Sequence, residues 1–311
     1  MRLVTVVFGV ALLLSAARAQ WEPDVRLTND PANSFLANPN NHPIAAVGDS
    51  IHVVFTDNRT GGYQVYYLHS LDAGATWDTA VQLSNDSAGR IFNPSIAATG
   101  ATVHVAWPSS AVNAIMYRRS NDAGVTWSAE ESLVVTTAGL GDACLAADGN
   151  TVGLAWGDER DGNYNGELYL KRSGDGGQSW TPDTRMTFRT DTIDGEPCLA
   201  VNGNSWHLVW TQSSWTGFHA RSWYQRSTDG GASWQAPSPV AQDTTSQSRP
   251  SVAVVGPNVH ICWWDGRPGE YGIHYHGSTD NGATWGPEHL LSDSLVGSDT
   301  SRWPRPAGTS M

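Results

Sequence analysis

Five times along the chain the same succession of apolar and polar positions recurs. A short run of small and β-branched residues closes on a glycine, and a second run closes on an aromatic residue. A third aromatic or β-branched run follows, and then a polar octet. The first two runs read Pro43-Ile-Ala-Ala-Val-Gly48 and Ile51-His-Val-Val-Phe55. Their relatives are Ser95–Gly100 with Val103–Trp107, Cys144–Gly149 with Val152–Trp156, Cys198–Gly203 with Trp206–Trp210, and Ser251–Gly256 with Val259–Trp263. The third run is seen in Gln64–Leu68, Ala114–Tyr117, Glu167–Leu170 and Gly272–Tyr275. Segments of this length and alternation, bounded by glycine and polar clusters, predict strands. With an outer strand after each octet, such as Val81–Asn85, each unit has four strands, named a to d in chain order.

The octets are Ser70–Trp77, Ser120–Trp127, Ser173–Trp180, Ser227–Trp234 and Ser278–Trp285. Their aspartates, Asp72, Asp122, Asp175, Asp229 and Asp280, lie 50, 53, 54 and 51 residues apart. That period, with four short strands in each unit, predicts a β-propeller or a repeat array. Within an octet the aspartate accepts backbone N–H bonds, the glycine supplies positive φ, and the serine or threonine adds local bonds. Trp77, Trp127, Trp180, Trp234 and Trp285 would anchor the returning strand, at a cost of about 3–5 kcal/mol on truncation.

Met1-Arg2, the apolar run Leu3–Leu14 and Ala17-Arg18-Ala19 have the layout of a secretory signal. Residues 1–19 are therefore expected to be removed and 20–311 to form the propeller. The formal charge is -12 for the whole chain, -14 without Arg2 and Arg18, and Lys171 is the sole lysine. This balance argues against nucleic acid and anionic membranes as partners. Cys144, Cys198 and Cys262 have no metal-type spacing and are too few for a disulfide scaffold, so buried small hydrophobes are expected. A secreted monomer with neither cofactor nor metal is the resulting expectation.

The octet S-x-D-x-G-x-[ST]-W resembles the Asp box, or bacterial neuraminidase repeat, of the sialidase superfamily, and the resemblance runs from about Gln20 to Trp285. It implies an all-β propeller of four-stranded blades in which the boxes are structural and lie away from the active site. Val25-Arg-Leu-Thr-Asn29 matches an outer strand, and Trp303–Ala307 resembles the start of another inner strand. Together they suggest a six-bladed sialidase-like ring whose sixth blade is incomplete. The alternative is a five-bladed ring with a spare N-terminal strand.

In that architecture the b–c loops and d–a crossings share the face opposite the octets, where binding is expected. Three of these loops open with Asp57-Asn-Arg59, Asp158-Glu-Arg160 and Asp265-Gly-Arg267. The three arginines converge on a carboxylate or phosphate, or each fastens its own loop as a local ion pair. Ahead of the inner strands stand Asn41, Asn93, Asp142, Glu196 and Arg249, diverse where the scaffold repeats. Trp215, Phe218, Trp223 and Tyr224 either stack on sugar rings or pack between blades. Asp161–Gly166 resembles half of a calcium loop, but Arg172 stands where a glutamate is expected, which favours a polar turn. His274 and His276 share a strand face without an evident third ligand.

Sialidases use three arginines for the substrate carboxylate, an acidic acid/base, and a tyrosine nucleophile assisted by glutamate. Their first arginine sits in a Tyr/Phe-Arg-Ile-Pro motif, where this chain has Asn40-Asn41-His42-Pro43. Arg249-Pro250 is the nearest echo. These departures favour a propeller that binds extracellular glycan or protein through the loop face. The alternatives are an exo-glycosidase of the exo-α-sialidase type, using Arg249 and Glu196, and a structural surface module.

Overall fold

A computed structural model describes residues 24–36, 42–86, 91, 93–162, 166–189, 191–214, 220–242, 245–268 and 271–292. Five antiparallel sheets follow one another along the chain. Blade 1 holds β1 (Ser34–Leu36), β2 (Ile44–Val47), β3 (Ser50–Asp57), β4 (Gln64–Ser70) and β5 (Val81–Gln82). Blade 2 holds β6 (Ser95–Thr99), β7 (Thr102–Ser109), β8 (Ala114–Ser120) and β9 (Glu131–Val135). Blade 3 holds β10 (Leu140–Asp148), β11 (Thr151–Asp158), β12 (Glu167–Ser173) and β13 (Thr184–Arg185). Blade 4 holds β14 (Thr192–Asn202), β15 (Ser205–Ser214), β16 (Ala220–Ser227) and β17 (Ser238–Pro239). Blade 5 holds β18 (Gln247–Val255), β19 (Asn258–Asp265), β20 (Gly272–Ser278) and β21 (His289–Leu290). Each blade is four strands deep, because β1 and β2 both pair with β3, at its end and its beginning, as two parts of one inner strand.

The described residues therefore form a five-bladed propeller, which corrects the six-bladed expectation. Residues 24–29 form no strand. The chain then enters the inner position of blade 1, where Ser34 pairs with Asp57 and Leu36 with Phe55. At the other end β21 pairs with β20 and completes its own blade. Residues 1–23, with the expected signal, and Trp303–Ala307 lie outside the described residues; among the described residues no helix is long and apolar enough to cross a membrane.

The five octets have one geometry. In the first, Ser70 Oγ donates to Asp72 Oδ1 at 2.8 Å and accepts Gly74 N at 2.8 Å. Asp72 also accepts Thr76 N at 2.8 Å and Thr76 Oγ1 at 2.6 Å. Each octet is tied to the a–b turn of its own blade, as by Ala73 N donating to Asp49 O and Gly176 N to Asn150 O, both at 2.8 Å. The c–d corners and a–b turns thus share one face, leaving the b–c loops on the other.

The octets also join the blades. Tyr67 packs edge-on to Trp127 of the next octet at 4.8 Å, Tyr117 to Trp180 at 5.5 Å and Tyr224 to Trp285 at 5.0 Å. Each tyrosine shares a hydrogen bond with a histidine on strand b, His52, His104 and His207 respectively. Burial lowers all three histidines to about 4, so they are neutral at pH 7. Blade 3 departs from the pattern, with Gly153 and Leu170 at these two positions. A Cβ on Gly153 would lie 2.6 Å from Trp206, so the tryptophan of the next blade fills the space of the missing pair. On blade 5 the His260–Tyr275 bond is kept at 2.7 Å, His260 is exposed, and a Cβ on Gly74 of the first octet would meet, among the described residues, only Ile51 and Trp77 of its own blade.

Hydrogen bonds from the threonine hydroxyl and backbone hold Asp72 and Asp122 down to about 2. Asp175, Asp229 and Asp280 are held lower still by equivalent bonds. An unfolded aspartate titrates near 3.9. Stability from the octets is therefore fully present above that pH and is lost as pH falls through about 2. The thermal midpoint is expected to drop steeply between about pH 4 and pH 2. Asp175→Asn should lower the midpoint at neutral pH and shallow the acid limb; an unchanged acid limb would count against this origin.

Candidate functional site

On the face opposite the octets the inner strands break their ladder at one level. Register shifts lie between Leu140 and Ala143, between Gly195 and Cys198, and between Ser248 and Ser251. Proline follows in four blades, at Pro43, Pro94, Pro197 and Pro250, and cannot donate to the ladder. The residues before those prolines, His42, Asn93, Glu196 and Arg249, have φ of 49°, 53°, 53° and 54°. Left-handed backbone at bulky residues is costly, and it collects at ligand sites. Blade 3 carries Asp142-Ala143 instead, and Asp142 keeps negative φ.

Neighbouring blades are linked through these side chains. Asn93 Nδ2 donates to Asp142 Oδ1 at 2.7 Å. Glu196 Oε2 accepts Thr211 Oγ1 at 2.8 Å and Arg249 N at 3.3 Å, while Arg249 Nε stands 3.7 Å from Glu196 Oε1. The Arg249 and Glu196 side chains are 35% and 28% exposed, so both are paired and still open to a ligand. His42 reaches across from blade 1, with Nδ1 at 3.3 Å from Leu145 O and Nε2 at 3.1 Å from Cys198 Sγ. Against the effect of burial, Cys198 holds His42 up to about 9, and Cys198 is itself held low chiefly by the hydrogen bond from Cys144. The rim thus gathers carboxylate, guanidinium, amide and hydroxyl groups, a set suited to the alternating donors and acceptors of a polyhydroxylated ligand.

The other sequence-predicted residues fall elsewhere. Arg59 lies on Asp57 through Nε at 2.9 Å and Nη2 at 2.8 Å, with its guanidinium 4.4 Å above Tyr66. Arg160 lies on Asp158 and Asp183 and covers Tyr169 at 4.5 Å. Arg267 bridges Asp265 and Glu288, at 2.6 and 2.7 Å. The three aspartates are buried, and two of them also accept an indole N–H, Trp156 to Asp158 at 3.1 Å and Trp263 to Asp265 at 3.0 Å. These guanidinium groups are thus engaged with carboxylates of their own blades. Asn41, Trp215 and Phe218 lie outside the described residues. Tyr224 is buried between blades, and Trp223 is half-buried, stacked 6.4 Å from Trp210.

Blade 4 makes the same indole contact by another route. Gln212 replaces the strand-b aspartate, and Asp194 arrives from the inner strand to accept Trp210 Nε1 and Gln212 Nε2, both at 2.9 Å. Burial raises Asp194 to about 6. Its signal in the sequence is an acid where blades 3 and 5 carry Leu140 and Gln247. A cleft of about 700 Å³ opens between blades 4 and 5, lined by Tyr224, Val240, Ile261, Arg267, His276 and Glu288. Beside it Asp265, His274 and Glu288 come together, with Arg267 already bound to both acids.

No family model and no curated protein matches the sequence. Solved structures do share the architecture. The Hadza microbial sialidase Hz136 superposes with a TM-score of 0.56 at 15% identity over 84% of this chain, which spans 59% of the sialidase. A protein of unknown function from Dyadobacter fermentans gives 0.59 at 14% identity, covering 84% of this chain and 86% of that one. The GH93 α-L-arabinofuranosidase of Fusarium graminearum, solved with arabinobiose, gives 0.57 at 17% identity, covering 82% and 84%. At these identities the likeness defines the fold: the chain is a β-propeller of the architecture seen in sialidases and arabinofuranosidases.

Proposed function

We propose that this is a secreted Asp-box propeller that binds extracellular glycan at the rim formed by Asn93, Asp142, Glu196, Thr211 and Arg249. The reading is carried by the left-handed backbone of the bulky rim residues, which turns diverse polar side chains to one level while the octet face is spent on fastening blades. Sugar hydroxyls would exchange with the Glu196 carboxylate and the Arg249 guanidinium, and a uronate or sialate carboxylate would pair with Arg249. Glycan-handling proteins among the structural neighbours favour this ligand class. Glu196→Gln removes a charged acceptor, worth about 1.5–3 kcal/mol. A glycan array probed with the intact protein should give discrete signals that fall about tenfold or more in this variant. Absence of any glycan signal, or equal signals from both proteins, would sink the reading.

One observation favours a second reading, exo-glycosidase action. Asp142 and Glu196 stand at matching positions on adjacent inner strands, and a pair of carboxylates is the usual equipment for glycoside hydrolysis. Release of the aryl group from aryl α-sialosides or aryl α-L-arabinofuranosides, lost in Glu196→Gln, would establish it.

A further inference from the structure

We propose that His42, Cys144 and Cys198 form a binding site for a thiophilic cation, zinc in the first instance, where the inner strands of blades 1, 3 and 4 meet. The two cysteines occupy the same register, each the first or second paired residue after its bulge, opposite Ala155 and Val209. Blades 2 and 5 have Ser95 and Ser251 there. At this register three of the four side chains accept an N–H from the next inner strand: Ser95 Oγ from Leu145 at 2.8 Å, Cys144 Sγ from Leu199 at 3.3 Å, and Cys198 Sγ from Val252 at 3.4 Å. A hydroxyl therefore suffices for knitting blades, and the two sulfurs supply something a hydroxyl does not.

Blade 1 explains why they are not alone. Its inner strand runs His42-Pro43-Ile44, one residue shorter than Asn93-Pro94-Ser95-Ile96, so Pro43 falls at the serine position, opposite Val54, and brings neither hydroxyl nor thiol there. His42 points inward to the sulfurs instead. Its Nδ1 is directed at the Leu145 carbonyl, and Nε2 faces Cys198 Sγ. An N–H donated to a backbone carbonyl is the usual way a ligating imidazole is oriented and its tautomer fixed. One nitrogen and the two sulfurs all lie within 4.8 Å of one another, and Ser251 Oγ is 3.8 Å from Cys198 Sγ as a neighbour to a fourth position.

Two sulfurs and one imidazole nitrogen select zinc over calcium or magnesium, which take oxygen ligands. Bond lengths of about 2.0 and 2.3 Å at a tetrahedral angle put nitrogen and sulfur about 3.5 Å apart. The observed 3.1 Å requires His42 to withdraw by roughly half an ångström on loading, which its half-buried position allows. The N–H groups of Leu199 and Val252 point at the sulfurs and would offset thiolate charge in the loaded site, where cation binding displaces the thiol protons to solvent. The site stands below the proposed glycan rim and does not depend on it.

Equilibrium dialysis of the intact chain against Zn²⁺, with Co²⁺ as the spectroscopic probe, tests the site. The expected result is one ion per chain, a thiolate-to-cobalt charge-transfer band, and a higher thermal midpoint with zinc. Cys144→Ser and Cys198→Ser introduce the side chain that blades 2 and 5 already use, so folding should be kept, as circular dichroism would verify. Each should lose the band and weaken zinc binding at least tenfold, and His42→Ala should do likewise. Cys262→Ser, on blade 5, should leave both unchanged. No bound ion, binding indifferent to Cys198→Ser, or a Cys144–Cys198 disulfide in the purified protein would overturn the proposal.

Discussion

Trp156→Ala is expected to lower folding stability by about 3–5 kcal/mol, the range for emptying a buried tryptophan site. Trp156 is fully buried in blade 3, stacked 5.8 Å from Tyr169. Its indole donates to Asp158 Oδ2, the same oxygen that accepts Arg160 Nε at 2.9 Å. The substitution therefore opens a cavity and also strips a donor from a buried carboxylate, and both penalties point the same way. Trp156→Phe largely separates them, since it keeps most of the volume and loses the N–H. It should cost about 1–2 kcal/mol. Trp180→Ala, in an octet, should cost less than Trp156→Ala, because Trp180 is half-buried and its Nε1 has no hydrogen-bond partner among the described residues. Denaturant unfolding followed by circular dichroism gives all three values. Equal losses for Trp156→Ala and Trp180→Ala would contradict this ranking.

That ranking departs from what the repeats suggest by themselves. The octet tryptophans stand out because they recur at fixed spacing, yet all five are half-buried. Trp107, Trp156, Trp210 and Trp263, which close the apolar run of strand b, and Trp206 near its start in blade 4, are enclosed by the core. Periodicity reports where a residue type is required, and enclosure depends on which neighbouring blade lies over it. Strand positions, octet geometry and the division of faces were legible because each rests on local chemistry: alternation, a left-handed glycine, an aspartate accepting nearby N–H groups. Blade number was not. Val25–Asn29 has an outer-strand composition, and nothing local tells it apart from a segment without pairing.

The rim was legible in part. Asn93, Asp142, Glu196 and Arg249 drew notice by differing where the scaffold repeats. His42 was missed because a one-residue shortening of blade 1 moves the rim position from Asn41 to His42, which an alignment by composition conceals. The convergence of Cys144, Cys198 and His42 escaped for a related reason. The cysteines are 54 residues apart in sequence and become neighbours only when successive inner strands are laid side by side. Thr211 gave no signal beyond its place within strand b of blade 4.

Gly124→Ala is the second substitution with a large expected effect, and Gly74→Ala is its internal control. Both glycines hold the same place in their octets, at φ of 91° and 90°. A Cβ on Gly74 meets nothing nearer than Ile51 at 3.6 Å. A Cβ on Gly124 would lie 1.9 Å from the Tyr67 hydroxyl of the preceding blade. Backbone strain of about 1–2 kcal/mol is common to both variants. Overpacking against a buried tyrosine adds about 1–3 kcal/mol to Gly124→Ala alone.

Octets as fasteners between blades are what leaves the opposite rim available for binding, so the difference between these two variants bears on the whole architecture. Unfolding free energies of Gly74→Ala and Gly124→Ala, measured side by side, should differ by about 2 kcal/mol, with Gly124→Ala the weaker. The gap should close when Tyr67→Leu, the residue type blade 3 carries at Leu170, is combined with Gly124→Ala. Equal losses for the two glycine variants would mean that the octets do not lock one blade onto the next.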